Sequence, residues 1–461
     1  MPVVREVEIV VIGAGVAGIA TAYYLCTEYG KRSVLMVDGR QPMSFTSAQS
    51  GDNYRNWWPH PTMVEFTNAS IDLMERIAVE SSNVLQLTRR GYAAATRNAD
   101  IDALIADLRA GYGSGDSSLV RIHNNPSAEN YQVPEASHWK DAPDGVDVLS
   151  NRQLIQKTFP SFSNDVASVV HIRRAGEISS QQMGQYMLGR ISEAGGNRLR
   201  GRLQGVTFNG SFTLEIDGPD GIEIINAETI VNAAGPFAID VAAMLGVDLP
   251  IRNVLQQKIA FADHLGAIPR ALPFSIDLDD QQLKWTAEER ELLAEEPQMQ
   301  WLLKEISGGI HCRPEGGAAG NRVKLGWAYN DEASEAEEEP VNDTHFDPQF
   351  PEIVLRGAMA LNPALGQYIE SFPSRCSHYG GYYPMTRENW PLIGPLGVDG
   401  AFVTGALSGF GSMSACAAGA LCASWITGGC LPSYARQLSL QRYSDTKLMA
   451  EIENAGNKGI L

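Results

Sequence analysis

Residues Ile9 to Leu25 read IVVIGAGVAGIATAYYL, and the rest of the chain is placed around them. Ile9, Val10, Val11 and Ile12 form a short β-branched run, as a parallel strand covered on both faces requires. Gly13, Gly15 and Gly18 then give G-x-G-x-x-G. The first glycine allows a tight turn, the second lets backbone approach a pyrophosphate, and the third lets helix pack on strand. The helix that follows, with Val16 and Ala17 in its first turn, aims its N–H groups and positive dipole end at phosphate. A second strand, Ser33 to Val37, ends at Asp38 and Gly39, and a carboxylate there can accept hydrogen bonds from ribose hydroxyls. Strand, glycine turn, helix, strand and acid in this order predict a dinucleotide site.

The chain has 461 residues, enough for more than one core, and a net charge of −18. Such acidity argues against nucleic acid or an anionic membrane as partner, since both need basic patches. Six cysteines, Cys26, Cys312, Cys376, Cys416, Cys422 and Cys430, are scattered without metal-ligand spacing, so no metal is expected. Free thiols in a reducing cytoplasm are the expectation, and no signal peptide is visible. The apolar stretch Met413 to Ile426 is too short to span a bilayer and predicts a buried helix.

Past Asp38 the chain is polar and irregular through Asn53, then carries Arg55, Trp57, Trp58 and His60 ahead of a helix from Pro61 to Glu80. Strands are predicted at Leu85–Ala95 and Ala167–Arg173, with loops and short elements over 111–148. Helices are predicted at Ile101–Ala110, Asn151–Phe159 and Ser180–Ala194. A meander at Val206–Phe208, Phe212–Ile216 and Glu223–Ile225 precedes a separate buried strand in TIVNAAGPF, Thr229 to Phe237. Further strands are predicted at Lys258–Phe261, Gly308–Arg313, Lys324–Trp327 and Ala401–Thr404, with Thr286–Lys304 helical and the acidic run 331–340 a solvated loop.

Four stretches in order resemble the D-amino-acid oxidase-like family of FAD-dependent oxidoreductases. They are GAGVAG with Asp38, the loop TSAQSGDNYR, the strand IVNAAG, and P-MTRENWPLIGP followed by GALSGFG. Only one full nucleotide fingerprint is present, in keeping with FAD rather than NAD. The resemblance implies that Ser47, Ser50 and Gly51 of the loop, Ala234 and Gly235 of the middle strand, and Gly405 and Ser408, Gly409, Phe410, Gly411, Ser412 and Met413 of the last turn contact the flavin. The sarcosine-oxidase-like branch is nearest. Its Gly-Asp-Thr-Arg pattern resembles Gly51-Asp52, and its oxygen-activating lysine corresponds to Lys324. Where that branch bears a covalent flavin on cysteine, the chain has no cysteine near Gly381, and Cys376 is out of register, so FAD is expected to be non-covalent. The branch's carboxylate-binding lysine corresponds to Met413, and an arginine common in relatives corresponds to Tyr383. Arg55 is then the best remaining cation for a substrate carboxylate.

The chemistry implied is oxidation of a C–N bond, with a neutral amine giving hydride to flavin N5 in an apolar pocket and reoxidation by oxygen or another acceptor. Trp57, Trp58, Tyr382, Tyr383 and Trp327 are candidate pocket aromatics, and His60 and His378 candidate proton relays. The expected fold is α/β. A Rossmann-like FAD domain, from 1–85, 160–250 and 376–461, interleaves with an antiparallel-sheet substrate domain from 86–159 and 251–375. The expected partner is a small amine or amino acid, and the protein a cytoplasmic monomer or homodimer. A 2-hydroxy-acid dehydrogenase and a flavin-binding scaffold without turnover stay open as alternatives.

Overall fold

A computed structural model describes residues 3–113, 117–127, 130–134, 139–317, 319–337, 345–373 and 375–455. The first strand, Val3–Ile12, pairs in parallel with Val34–Asp38 on one side and with Gly221–Asn232 on the other. The eight-stranded sheet built on this trio continues through Phe212–Gly218 and Arg202–Phe208 at one edge and Asn197–Arg200 at the other. The meander and the buried strand expected after it share one continuous strand of 12 residues, Gly221–Asn232. Its outer edge changes partner part-way. Phe212–Gly218 runs antiparallel to it as far as Ala227, and Ala401–Gly405 runs parallel to Ile230–Asn232. Exposed Glu228 breaks the apolar run at the changeover, which made one strand read as two.

Helices Val16–Thr27 and Gly411–Thr427 pack against each other over this sheet. They cross backbone to backbone, since a Cβ on Gly419 would stand 2.4 Å from the Ala20 carbonyl carbon. The second helix is the buried one predicted at Met413–Ile426. Among the described residues no helix is long and apolar enough to cross a membrane.

The second sheet has nine strands in the order Ser377–Met385, Arg252–Ala262, Arg322–Gly326, Ile310–Glu315, Phe274–Asp277, Tyr92–Thr96, Ser168–Ile172, Val146–Leu149 and Val120–His123. It is antiparallel except at two pairs. Ser168–Ile172 and Ser377–Met385 belong to this sheet, although both fall in stretches assigned above to the cofactor domain. A short buried strand such as SVVHI reads alike in either sheet, because only its distant partners decide where it goes. The strand expected from Leu85 starts only at Tyr92, because Gln86 and Gly91 take φ of +53° and +86°. Among the described residues, 111–148 holds the short strand Val120–His123 and most of Val146–Leu149, and the α-helix expected over Thr286–Lys304 is confined to Ala287–Glu295, opened by a reciprocal Thr286–Glu289 cap. Part of the acidic run, 338–340, lies outside the described residues.

Period-two alternation gives this sheet two unlike faces. Ile259, Phe261, Val323, Leu325 and Cys312 pack into an apolar core with helix Phe350–Leu361. Lys258, Lys324, Arg313 and Tyr383 alternate with them and face the first sheet's loops.

Candidate active site

The glycine turn is built to its steric limit. Gly13 has φ +107°, and a Cβ there would lie 2.3 Å from the Ala233 carbonyl oxygen. A Cβ on Gly18 would lie 2.0 Å from the Gly13 carbonyl oxygen, which is the close helix–strand approach expected of it. Asp38 is fixed at its strand end by accepting from Ala14 N at 2.7 Å and Arg40 N at 2.8 Å. Ser47 Oγ accepts from Val16 N at 3.0 Å.

From Asp38 a series of adjoining cavities runs to the interior. The first is bounded by Gly13, Asp38, Gly39, Ala234 and Phe237. The next shares Gly13 and Asp38 and adds Gly15, Ser47 and Gly235. The third is lined by Gly15, Val16, Ala17, Ser50, Gly405, Gly409, Gly411 and Ser412. Most of the expected dinucleotide residues thus line one cleft, which passes the N-termini of both crossing helices, whereas Gly51, Ser408, Phe410 and Met413 line a further cavity beside it and Gly18 packs beneath the turn. Neither helix has a side-chain cap from its own N-cap residue, Gly15 or Phe410. A dinucleotide fits this cradle: small residues where backbone must approach, two helix dipoles, and a carboxylate at the far end.

The turn before the second of these helices is strained. Ala406, Ser408 and Gly409 have φ of +54°, +44° and +81°. A Cβ on Gly409 would strike the Tyr383 ring at 2.2 Å, so this turn lies directly on that ring. Ser50 Oγ and Ser412 Oγ, 2.6 Å apart, tie the polar loop to the helix start.

A further cavity meets the cleft at Ser50, Tyr383, Gly409 and Ser412. It collects Gly51, Asp52, Asn53, Arg55, Ser408, Phe410 and Met413 from the first domain's loops, and Tyr92, Lys258, Phe274 and His311 from the second sheet. Arg55 is buried, with Nε donating to the Trp57 carbonyl at 3.2 Å and the guanidinium 4.6 Å from the Trp58 ring centre. Burial lowers its pKa to about 10. His311 is held neutral, its pKa lowered to about 3 by burial and then by the Lys258 charge. Lys258 Nζ donates to Tyr383 Oη at 2.8 Å and lies 3.4 Å from the Gln49 carbonyl. Sequence reasoning passed over Lys258. Its signal was a lysine at the head of the apolar run IAFA.

Other candidates lie elsewhere. Lys324 is buried and lines none of these cavities. Its Nζ is 2.7 Å from Glu315 Oε1, and its pKa is lowered to about 8, by burial first and Arg313 second, with Glu315 opposing. On the same face, one strand over, Lys258 lines the further cavity. His378 sits on the apolar face, 2.9 Å from Gln257 Oε1 and stacked on Phe350, one residue out of phase with the cleft. His60 caps helix Pro61–Glu80 through Nδ1. Trp327 and Trp57 are core residues whose indole N–H groups donate to the Ser307 and Leu108 carbonyls. Tyr382 points away from its neighbour and packs on Phe45. Trp58 packs edge-on against Phe410 behind Arg55.

The model of the DAO family, described as FAD dependent oxidoreductase, matches residues 8–425. The chain belongs to this family. It is an FAD-dependent oxidoreductase. Solved structures with the same fold include L-proline dehydrogenase from P. horikoshii, 16% identical, TM-score 0.69, covering 96% of this chain and 99% of that one. Glycine oxidase from Geobacillus kaustophilus is 15% identical with TM-score 0.65, covering 95% and 99%. Iminodiacetate oxidase from Chelativorans sp. BNC1 is 16% identical with TM-score 0.62, covering 94% and 98%. None of the curated proteins matches the sequence.

Proposed function

We propose that this enzyme oxidises the C–N bond of an amine that also carries a carboxylate. The observation behind the reading is the pair of buried cations, Arg55 and Lys258, in the cavity that meets the cleft at Tyr383 and Gly409. Buried cations beside a cavity favour an anionic ligand group. The names of the structural neighbours, proline dehydrogenase, glycine oxidase and iminodiacetate oxidase, are of the same chemical kind. FAD held by Gly13, Gly15, Asp38, Ser47 and the Gly411 helix start supplies the two-electron acceptor. We read it as non-covalent, since the cleft lining among the described residues contains no cysteine.

The chain's own groups have distinct tasks in this reading. Arg55, wedged on Trp58, clamps a carboxylate from a fixed position. Lys258 donates to Tyr383 Oη, which leaves the tyrosine O–H proton to point into the cavity toward a substrate acceptor. Tyr92, Phe274 and Phe410 exclude water from the reacting bond. Two cations disfavour a third positive charge, so a bound ammonium is pressed to release its proton. Neutral His311 adds no charge of its own.

The test is anaerobic mixing of the yellow protein with sarcosine, glycine, L-proline and D,L-lactate. Bleaching of the flavin band by an amine and not by lactate is expected. Bleaching by lactate alone would transfer the reading to 2-hydroxy acids, and no bleaching by any amine would discard it.

A further inference from the structure

Two buried acceptor atoms on residues that line the proposed substrate cavity have no use in the mechanism above. Asp52 Oδ1 and Asn53 Oδ1 are both buried, both lack a hydrogen-bond partner among the described residues, and both residues line the cavity that holds Arg55 and Lys258. Native proteins rarely leave buried acceptors orphaned, and those that persist call for a ligand or a functional cause. Asp52 is also held in a costly conformation. Its φ is +58°, its N–H donates to Ser50 Oγ at 3.0 Å, and its carbonyl accepts from Ile178 N at 2.9 Å. The backbone on either side is pinned as well, with Arg313 Nη2 donating to the Gly51 carbonyl at 2.9 Å. A left-handed aspartate over-determined in this way has a fixed side-chain direction.

Resting on the reading of this cavity as an amine site, we propose that Asp52, with Asn53 beside it, holds the substrate nitrogen. The substrate class follows: an amino acid gripped at both ends, carboxylate on the cations and nitrogen on the paired acceptors. The charge arrangement agrees. Arg55 and Lys258 are positive, Asp52 is negative and His311 is neutral. A bound carboxylate then makes the cavity neutral when the nitrogen is unprotonated, the form that can be oxidised. From the strands packed against the loop, Lys324 and Tyr379 also feel the Asp52 charge, and Glu315 pairs with Lys324 on its other side.

The test replaces Asp52 with Asn, which keeps shape and removes charge, in the FAD-loaded enzyme. The probe is whichever of sarcosine, glycine or L-proline bleaches the wild-type flavin fastest. Half-saturation should rise at least about tenfold for loss of a charged hydrogen bond. An anion beside the nitrogen favours its ammonium form, so removing it should move the acid limb of the reduction rate to lower pH by about one unit. A residue with only a structural role would not move that limb. Both shifts are required. An unmoved limb, an unchanged half-saturation, or a D52N protein that no longer retains flavin would each overturn the assignment while leaving the amine reading intact. Failure of every probe on the wild type would instead remove the amine reading, and this assignment with it.

Discussion

The two faces of the nine-stranded sheet share strands, and they have opposite characters. One face carries Ile259, Phe261, Val323 and Leu325 into a core closed by helix Phe350–Leu361. The other carries Lys258, Lys324, Arg313 and Tyr383 toward the flavin loops, all but Tyr383 less than a tenth exposed. Neighbours in sequence thus differ more than residues fifty positions apart. Ile259 is core and Lys258 lines the cavity; half-buried His378 stacks on Phe350 and Tyr379 lies beside a lysine. Chemistry in this protein is assigned by strand parity, and then by what stands in front of each side chain.

The comparison breaks most visibly on the apolar side. Phe261→Ala, at a fully buried ring packed on Tyr368, should cost ~3–5 kcal/mol in denaturant unfolding of the FAD-loaded protein. The absorbance maximum of the flavin should stay in place. On the polar side the largest stability signal is in pH. Burial depresses Lys324 to about 8, below the 10.5 of an exposed lysine. The unfolded chain therefore binds more protons between these values, and stability should rise with pH through that window. Relative to Lys324→Met, wild type should gain at most about 3 kcal/mol from pH 8 to 10.5. A flat difference would mean that the Glu315 pair keeps the lysine charged throughout.

Lys258→Met sharpens the contrast between the two lysines of one face. It removes the donor to Tyr383 and a cation from the cavity, and should lower kcat/KM about tenfold or more, or ~1.4 kcal/mol. Lys324→Met, measured alongside for flavin reoxidation by oxygen, should stay within about threefold of wild type, since Glu315 and not the cleft is its neighbour. The smallest effect belongs to His378→Gln. Its ring stacks on Phe350 across the sheet from the flavin, and steady-state rates should change by no more than about twofold.

Much of the cofactor domain was legible because its signals are local. The glycine turn, Asp38 and the S-G-F-G turn each place backbone within a few residues of the motif, and Gly13, Gly15, Asp38, Gly409 and Gly411 line one cleft. The second sheet was less legible because its information is non-local. Nothing within SVVHI distinguishes the sheet it joins. In GGYYPM, nothing anchors which tyrosine faces inward; the register with Val254 and Leu255 decides it. Arg55 and Tyr383, which line the cavity, could be singled out because they flank recognisable loops. Lys324 was placed by its motif on the correct face, but Glu315 and Arg313 stand beside it, and Lys258, one strand over, reaches Tyr383. Parity was readable there, and tertiary surroundings were not.

The contact of Gly419 with Ala20 has a mechanical consequence. Because two main chains touch there, with no side chain between them, the openings of both helices are set at a spacing that repacking cannot adjust. With FAD bound as proposed, its diphosphate end and its ring end would be gauged against one another by a rigid pair of rods. Any single methyl inserted at that crossing is felt at both ends together.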